Sequence, residues 1–187
     1  IPISPDKVVK VALSILNENG AEFQTYCADF AGRVDCSGEA NWKKIAALKL
    51  AINQLLQENN CTVGAVECWS AFPGLLGVPP CAAMGELAGD GLPLACEADV
   101  NGAITLAMVR ACNLADEAVF LADLTIRHPE NDHAELLWHC GPFPYALKDP
   151  ASGARLVGGL ERWQLKKGEL TVARFDDLNG EYYLFAG

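Results

Sequence analysis

The chain has 187 residues, of which 51% are hydrophobic, and its formal net charge at pH 7 is −10. This length fits one large domain or one domain with part of a second, and the hydrophobic fraction is enough for a sizeable core. The negative charge argues against nucleic acid and anionic membrane surfaces as partners, because both carry negative charge themselves. No signal-peptide pattern is evident and no apolar run approaches the length of a membrane span, so we expect a cytoplasmic protein that does not cross a membrane.

The first two thirds of the sequence alternate between helical and strand patterns. Apolar spacing predicts a first helix that begins at Ser4-Pro5-Asp6 and ends at Gly20, where glycine fits a C-cap. Further helices are predicted over 38–59, 69–76, 81–89 and 99–113, and buried strands over 62–67, 92–96 and 118–125. Strands that alternate with helices indicate an α/β fold with a parallel, doubly wound sheet. We assign residues 1–126 to this α/β domain.

The pattern changes after about Ile126. Short strands are predicted over 135–138, 156–163, 168–174 and 182–185, with turn residues between them. The Asn179-Gly180 pair is a strong hairpin signal. We interpret residues 127–187 as the start of an antiparallel β domain. The chain has no initiator methionine and ends in strand-like sequence, so we interpret it as a piece of a longer protein whose second domain is truncated.

The eight cysteines contain no Cys-x-x-Cys pair, so a zinc ribbon or a thioredoxin-like redox site has no support. Most of them stand in apolar surroundings, which favours buried free thiols in a reducing cytoplasm over disulfides. They are Cys27, Cys36, Cys61, Cys68, Cys81, Cys96, Cys112 and Cys140.

The segment Glu97-Ala98-Asp99 follows a buried strand and precedes a helix. Ligands of an open parallel sheet bind outside the carboxyl ends of its strands, so both carboxylates are expected at the ligand-binding edge. Asp99 also fits the N-cap of the following helix, and position alone leaves a cap and a functional role about equally supported.

Two further residues stand out because they are charged or titratable within apolar sequence. Glu86 is on the short helix after Pro79-Pro80, where an ordinary exposed glutamate is the alternative. His139 follows an apolar run, where a hydrogen-bonded core histidine is the alternative. Together with Asp99 they form a donor set that suits Mn²⁺ or Mg²⁺. They lack the local spacing of the His-Glu-x-x-His motif or the EF-hand.

The remaining candidates lie at strand ends or in polar sequence. Glu67 and Trp69 follow the first strand, and Trp69 can either pack in the core or stack on a sugar. His128 and His133 lie in a polar loop, which is either a solvated turn or a substrate contact. The sequence contains neither a glycine-rich phosphate motif nor Gly-x-Ser-x-Gly. A thiol nucleophile at Cys140 is disfavoured, because neighbours on a strand point apart.

Three segments together resemble the L-fucose isomerase-like proteins, within the wider group of L-fucose and L-arabinose isomerases. They are ECWSAF, GVPPCAAMGELAGDGLPLACEADVNGAITL and FLADLTIRHPENDHAELLWHCGPFP, within about residues 61–145. The resemblance implies a divalent metal, usually Mn²⁺, held by Glu86, Asp99 and His139. The spacing between Glu86 and Asp99 is shorter than in the fucose isomerases proper. The resemblance also implies an active site between the two domains, completed by a neighbouring subunit of a homo-oligomer.

The expected function is therefore part of a metal-dependent aldose–ketose isomerase, an intramolecular oxidoreductase that acts on a monosaccharide such as L-fucose or L-arabinose. Glu86 and Asp99 would bind the metal and move protons through a cis-enediol, and we expect the isolated chain to be inactive. The predicted substrate contacts are Glu67, Trp69, Glu97, Asp123 and His128. The alternatives are a carbohydrate-binding or regulatory relative without catalysis, and another metal-dependent sugar enzyme such as an aldolase or epimerase.

Overall fold

The computed structural model describes residues 1–114 and 118–187. Its α-helices in these ranges are α1 (Pro5–Glu18), α2 (Ala21–Arg33), α3 (Trp42–Glu58), α4 (Ala71–Leu75), α5 (Cys81–Gly89) and α6 (Val100–Cys112). Its strands are β1 (Gly64–Ala65), β2 (Leu94–Ala95), β3 (Asp123–His128), β4 (Asn131–Trp138), β5 (Arg155–Val157), β6 (Leu160–Arg162), β7 (Ala173–Leu178) and β8 (Glu181–Ala186). Within the described ranges, none of these helices combines the length and the hydropathy needed to cross a membrane.

Helix α1 begins as predicted but ends one residue earlier. The side chain of Ser4 accepts a hydrogen bond from the Lys7 backbone at 3.3 Å, and Pro5 occupies the first turn. Asn19, not Gly20, is the C-cap, with a φ of 47°. Asparagine tolerates this left-handed conformation. Gly20 is instead the N-cap of α2, so its predicted role was wrong.

Helix α2 was not predicted from the sequence, although it carries a helical stripe. Phe23, Cys27 and Phe30 are buried and recur at intervals of four and three residues, which is the spacing of one helix face. These side chains join the main core together with α1 and α3. The predicted helix over 38–59 is confirmed as α3, and its Leu48 is fully buried.

Strands β1 and β2 pair in parallel, with Gly64 opposite Leu94. Helices α4 and α5 form the connection between them, and α6 packs against both strands. The backbone N–H of Ala98 donates to the Val66 carbonyl at 3.0 Å, which extends the link beyond the ends of the strands. The predicted α/β fold with parallel pairing is therefore confirmed. The carboxyl ends of both strands meet at one edge.

The predicted third parallel strand over 118–125 was wrong. The strand begins later, at Asp123, and β3 pairs antiparallel with β4 across a short turn at Pro129 and Glu130. A connection this short can join only antiparallel neighbours, because a parallel neighbour needs a crossover of a dozen residues or more.

The remaining strands form two further antiparallel hairpins, β5–β6 and β7–β8. Asn179 and Gly180 have φ values of 56° and 81°, so the predicted hairpin turn is confirmed. The predicted strand over 156–163 is instead two strands, because Gly158 and Gly159 both adopt positive φ and turn the chain. The predicted strand over 168–174 begins only at Ala173.

Candidate functional site

The connection from β2 to α6 carries the most strained backbone at the sheet edge. Glu97 and Ala98 have φ values of 58° and 56°, a left-handed conformation that costs non-glycine residues about 1–2 kcal/mol each. Such strain is concentrated at functional sites, where the surrounding structure enforces it. It turns the chain so that Asp99 stands at the start of α6.

Asp99 has two structural partners. Its Oδ1 accepts a hydrogen bond from the backbone of Gly102 at 2.8 Å, so the predicted cap role is confirmed. It also forms an ion pair with Arg174 of β7, in which Nη2 lies 3.3 Å from Oδ1. Burial alone would raise the pKa of the Asp99 carboxyl, but the hydrogen bonds from Arg174 and Gly102 outweigh burial and lower it. The pairing with Arg174 and Gly102 therefore favours the ionised form of the Asp99 carboxyl.

His139 lies buried beyond the end of β4. Its Nε2 is 3.9 Å from Oδ2 of Asp123, which lies at the base of the same hairpin. Its Nδ1 accepts a hydrogen bond from the Cys140 backbone N–H at 2.9 Å and lies 3.3 Å from Sγ of Cys140. Burial alone would lower the pKa of His139, but its contact with Cys140 outweighs burial and raises it. The hydrogen bond to Nδ1 therefore fixes the imidazole ring, and its Nε2 faces Asp123.

A cavity of about 390 Å³ joins these groups. Glu97, Asp99, Asp123, His139 and Arg174 all line it, together with apolar side chains of α6 and the 118–124 segment. This volume is in the usual range for a small-ligand site. Three carboxylates and one imidazole around a single cavity also form a donor set that a hard or borderline divalent cation such as Mn²⁺ can use.

Glu86 lies in a different environment. It is 7% exposed, so the alternative of an exposed helical glutamate was wrong. Its Oε2 accepts hydrogen bonds from Tyr26 at 2.8 Å and from Nη2 of Arg33 at 2.7 Å, and both donors are on α2. Arg33 also lies over the ring of Tyr145, 4.9 Å from its centroid. The negative charge of Glu86 is therefore already balanced by a cation of the protein, and its role as a metal ligand stays a prediction.

The remaining predicted substrate contacts are Trp69, Glu67 and His128. Trp69 is 70% exposed, so the core alternative was wrong, and its indole N–H donates to Oε1 of Glu97 at 3.1 Å. Glu67 accepts a hydrogen bond from the hydroxyl of Ser70. His128 is exposed at the turn of the β3–β4 hairpin, five residues beyond Asp123, which at about 3.3 Å per residue places it roughly 16 Å away. The structure does not bring His128 to the cavity.

Several polar residues around these groups were missed from the sequence: Tyr26, Arg33, Glu161 and Arg174. Glu161 of β6 is 9% exposed, and its Oε2 accepts a hydrogen bond from Trp163 Nε1 at 3.1 Å. Burial and then the negative charge of Glu86 raise the pKa of Glu161 to about 8. The one available sequence signal for Glu161 and Arg174 was that each is a charged residue within a strand-like segment.

Within the described residues, only the sulfur atoms of Cys81, Cys96 and Cys140 form a group of three or more candidate metal ligands lying within 4.8 Å of one another. Glu86, Asp99 and His139 do not form such a group. The prediction that the cysteines are free thiols is confirmed for all eight, and five of them are buried. Hydrogen bonds from Cys81 and Cys96 lower the pKa of the Cys140 thiol.

No protein-family model matches the chain. It is 30% identical to the sulfoquinovose isomerases of Priestia aryabhattai and Priestia megaterium over 148 residues, which cover 75% of this chain and 33% of each relative. It is also 30% identical to the sulfoquinovose isomerase of Alkalicoccus urumqiensis over 143 residues, which cover 73% of this chain and 32% of the relative. The chain therefore spans about a third of the length of the curated relatives it matches.

All three of these relatives are named as isomerases of the sugar sulfoquinovose, and none of the three as an L-fucose isomerase.

Proposed function

We propose that this chain forms part of the catalytic centre of a metal-dependent aldose–ketose isomerase. The observation that carries the proposal is the strained Glu97-Ala98-Asp99 connection, which opens into the same cavity as His139. The similarity to sugar isomerases supports the same reading. Because the chain spans only about a third of those relatives, we expect turnover to require further chain or a neighbouring subunit, and the isolated chain to be inactive.

The proposed substrate is a single monosaccharide, for which a cavity of about 390 Å³ is large enough. Sulfoquinovose is the first candidate, because the relatives are named for it. Its sulfonate would need a cation, and the guanidinium of Arg174 lines the cavity. L-Fucose and L-arabinose are the next candidates, from the sequence resemblance.

Mn²⁺, or Mg²⁺, is the proposed cofactor. Asp99 and His139 fit its donor preferences and share the cavity, with Glu86 as the third ligand that the resemblance implies. When bound, the ion would polarise the sugar carbonyl as a Lewis acid. Of the three carboxylates that line the cavity, Glu97 and Asp99 belong to the strained connection, so we assign to them the proton transfer between C1 and C2 through a cis-enediol. Trp69 orients the Glu97 carboxylate by its hydrogen bond.

A homo-oligomer is part of the proposal. Tyr182 and Leu184, which share one face of β8, are 74% and 60% exposed, and such an apolar face fits a surface that another subunit covers.

A second candidate is a sugar-binding relative without catalysis. It is favoured by the ion pairs Arg33–Glu86 and Arg174–Asp99, which balance both carboxylates without any metal. Such a protein would bind a monosaccharide with the same affinity in the presence and absence of Mn²⁺.

The test combines turnover with metal binding. The complete product of the gene is assayed with Mn²⁺ and sulfoquinovose, L-fucose or L-arabinose, and the ketose product is identified. The same protein is titrated with Mn²⁺ by electron paramagnetic resonance. In Asp99→Asn, which keeps an N-cap acceptor, turnover and Mn²⁺ binding should both be lost. Glu169→Gln, at an exposed position, is the matched control.

Retained turnover in Asp99→Asn would refute the assignment of Asp99. Sugar binding that is independent of Mn²⁺, with no ketose formed, would establish the second candidate. Arg174→Gln provides an independent readout, because removing the cation that competes for Asp99 should strengthen Mn²⁺ binding while weakening binding of a sulfonated sugar.

A further inference from the structure

Four buried cysteine side chains lie close together next to the candidate site. Cys68 and Cys96 follow the adjacent parallel strands β1 and β2, so the sheet places them side by side at its carboxyl edge. Cys81 is the first residue of α5, and Cys140 follows His139. All four are between 1% and 8% exposed. We call these residues the thiol cluster: Cys68, Cys81, Cys96 and Cys140.

The sulfur atoms of the cluster are close but not bonded. The Sγ atoms of Cys68 and Cys96 are 2.9 Å apart, and those of Cys81 and Cys140 are 3.3 Å apart. The Sγ atoms of Cys81, Cys96 and Cys140 all lie within 4.8 Å of one another. A disulfide would need about 2.05 Å, so none of these pairs is a disulfide in the structure.

These distances suit a metal ion. Four thiolates around Zn²⁺ at about 2.3 Å place neighbouring sulfur atoms about 3.8 Å apart. The sulfur atoms of Cys81, Cys96 and Cys140 lie within 4.8 Å of one another, so small side-chain rotations would bring these three to one ion. Cys68 is the candidate fourth ligand, because its sulfur lies 2.9 Å from that of Cys96. Plain core packing is the competing explanation, since cysteine behaves as a small hydrophobe. Packing alone, however, does not require cysteines from four separate segments to place their sulfur atoms next to one another.

We infer that the thiol cluster is a binding site for a thiophilic metal ion of the Zn²⁺ class, distinct from the carboxylate and imidazole groups of the candidate sugar site. Sulfur ligands select such ions over Mn²⁺ and Mg²⁺, which prefer oxygen. Cys96 also lines the cavity of about 390 Å³, which gives an ion a path to the cluster. Glu67, Glu97 and His139 are the direct sequence neighbours of Cys68, Cys96 and Cys140. An ion in the cluster would therefore fix the backbone from which three candidate site residues project.

The test uses Co²⁺ as a spectroscopic probe for Zn²⁺, on protein reduced and stripped of metal under anaerobic conditions. The expected result is thiolate-to-cobalt charge-transfer absorption that saturates at one ion per chain and disappears on addition of Zn²⁺. The double substitution Cys81→Ser with Cys140→Ser should abolish the absorption. Cys61→Ser with Cys112→Ser should leave it unchanged, because these two cysteines lie outside the cluster.

Two outcomes overturn the inference: no charge-transfer absorption in the wild type, or absorption that survives in Cys81→Ser with Cys140→Ser. If that variant fails to fold, X-ray absorption of the Zn²⁺-loaded wild type decides. A shell of three or four sulfur atoms at about 2.3 Å supports the site, and a shell of nitrogen and oxygen alone refutes it. Electron paramagnetic resonance measures Mn²⁺ binding in a separate experiment. A thiol cluster that binds no metal can therefore be distinguished from a proposed isomerase site that binds no Mn²⁺.

Discussion

Replacing Glu161 by glutamine is expected to stabilise the protein above pH 7. The carboxyl is 9% exposed, and burial followed by the negative charge of Glu86 raises its pKa from an ordinary 4.5 to about 8. The folded protein therefore keeps this carboxyl protonated at neutral pH, whereas the unfolded chain ionises it. Glutamine has nearly the same shape, is neutral at every pH, and keeps an oxygen that can accept the hydrogen bond of Trp163.

The size of the effect follows from the pKa difference. At pH 4 and below, Glu161 is largely protonated in both states and adds little to the pH dependence of stability. Between pH 4.5 and 8 only the unfolded chain releases the proton, so the free energy of unfolding falls by up to about 1.4 kcal/mol per pH unit. The largest loss in the free energy of unfolding that this pKa difference allows is about 5 kcal/mol. Relaxation and water entry around a buried charge reduce it, and we expect about 2 kcal/mol, or roughly 4–8 °C in Tm.

The assay is equilibrium unfolding in urea at several pH values from 5 to 8.5. The wild type and Glu161→Gln should be nearly equal at pH 5 and diverge as the pH rises, with the variant more stable at pH 8.5. Glu169→Gln, at an exposed position, should follow the wild type throughout. Parallel curves for the wild type and Glu161→Gln, or a less stable variant at pH 8.5, would refute the assignment of a neutral buried carboxyl.

Two further predictions concern residues of α5, and each has a second variant as its control. Gly85→Ala should cost about 2–3 kcal/mol in urea unfolding, because a Cβ there would lie 2.7 Å from the backbone oxygen of Phe143. Gly89→Ala in the same helix meets nothing within 4 Å and should be neutral or stabilising by up to about 1 kcal/mol; equal losses in both would contradict the clash. Arg33→Ala should cost about 3 kcal/mol, because it leaves the Glu86 carboxylate buried without its cation. Adding Glu86→Gln should recover at least half of that loss, and no recovery would show that Arg33 acts through packing.

Features set by neighbouring residues were predictable from the sequence. Helix α5 has the predicted bounds, Cys81–Gly89, because Pro79-Pro80 blocks any helix that would run through it. The Asn179-Gly180 turn was predictable because both positions need positive φ, which asparagine and glycine accept most easily. The charged edge was predictable as well, since parallel strands bring their carboxyl ends together whatever lies between them.

Features set by distant partners were not predictable. Glu86 looked like a metal ligand or a solvated helical residue, and the structure shows a buried carboxylate held by Arg33, 53 positions away. Asp99 is paired with Arg174, 75 positions away. The strand predicted over 118–125 depended on whether a hairpin or a parallel crossover would form. Apolar composition alone does not decide between the two.

The two ion pairs carry a consequence for metal binding. Asp99 and Glu86 are each balanced by one arginine from a distant segment, so an incoming divalent cation must displace a guanidinium or share its carboxylate. Displacement is easier at Asp99, because the side chain of Arg174 is 41% exposed and can move into water, whereas Glu86 is 7% exposed and also holds Tyr26. In the proposed isomerase, metal binding at this edge would therefore begin at Asp99 and free the guanidinium of Arg174, which lines the cavity. A released guanidinium beside a bound sugar is what recognition of an anionic substituent requires.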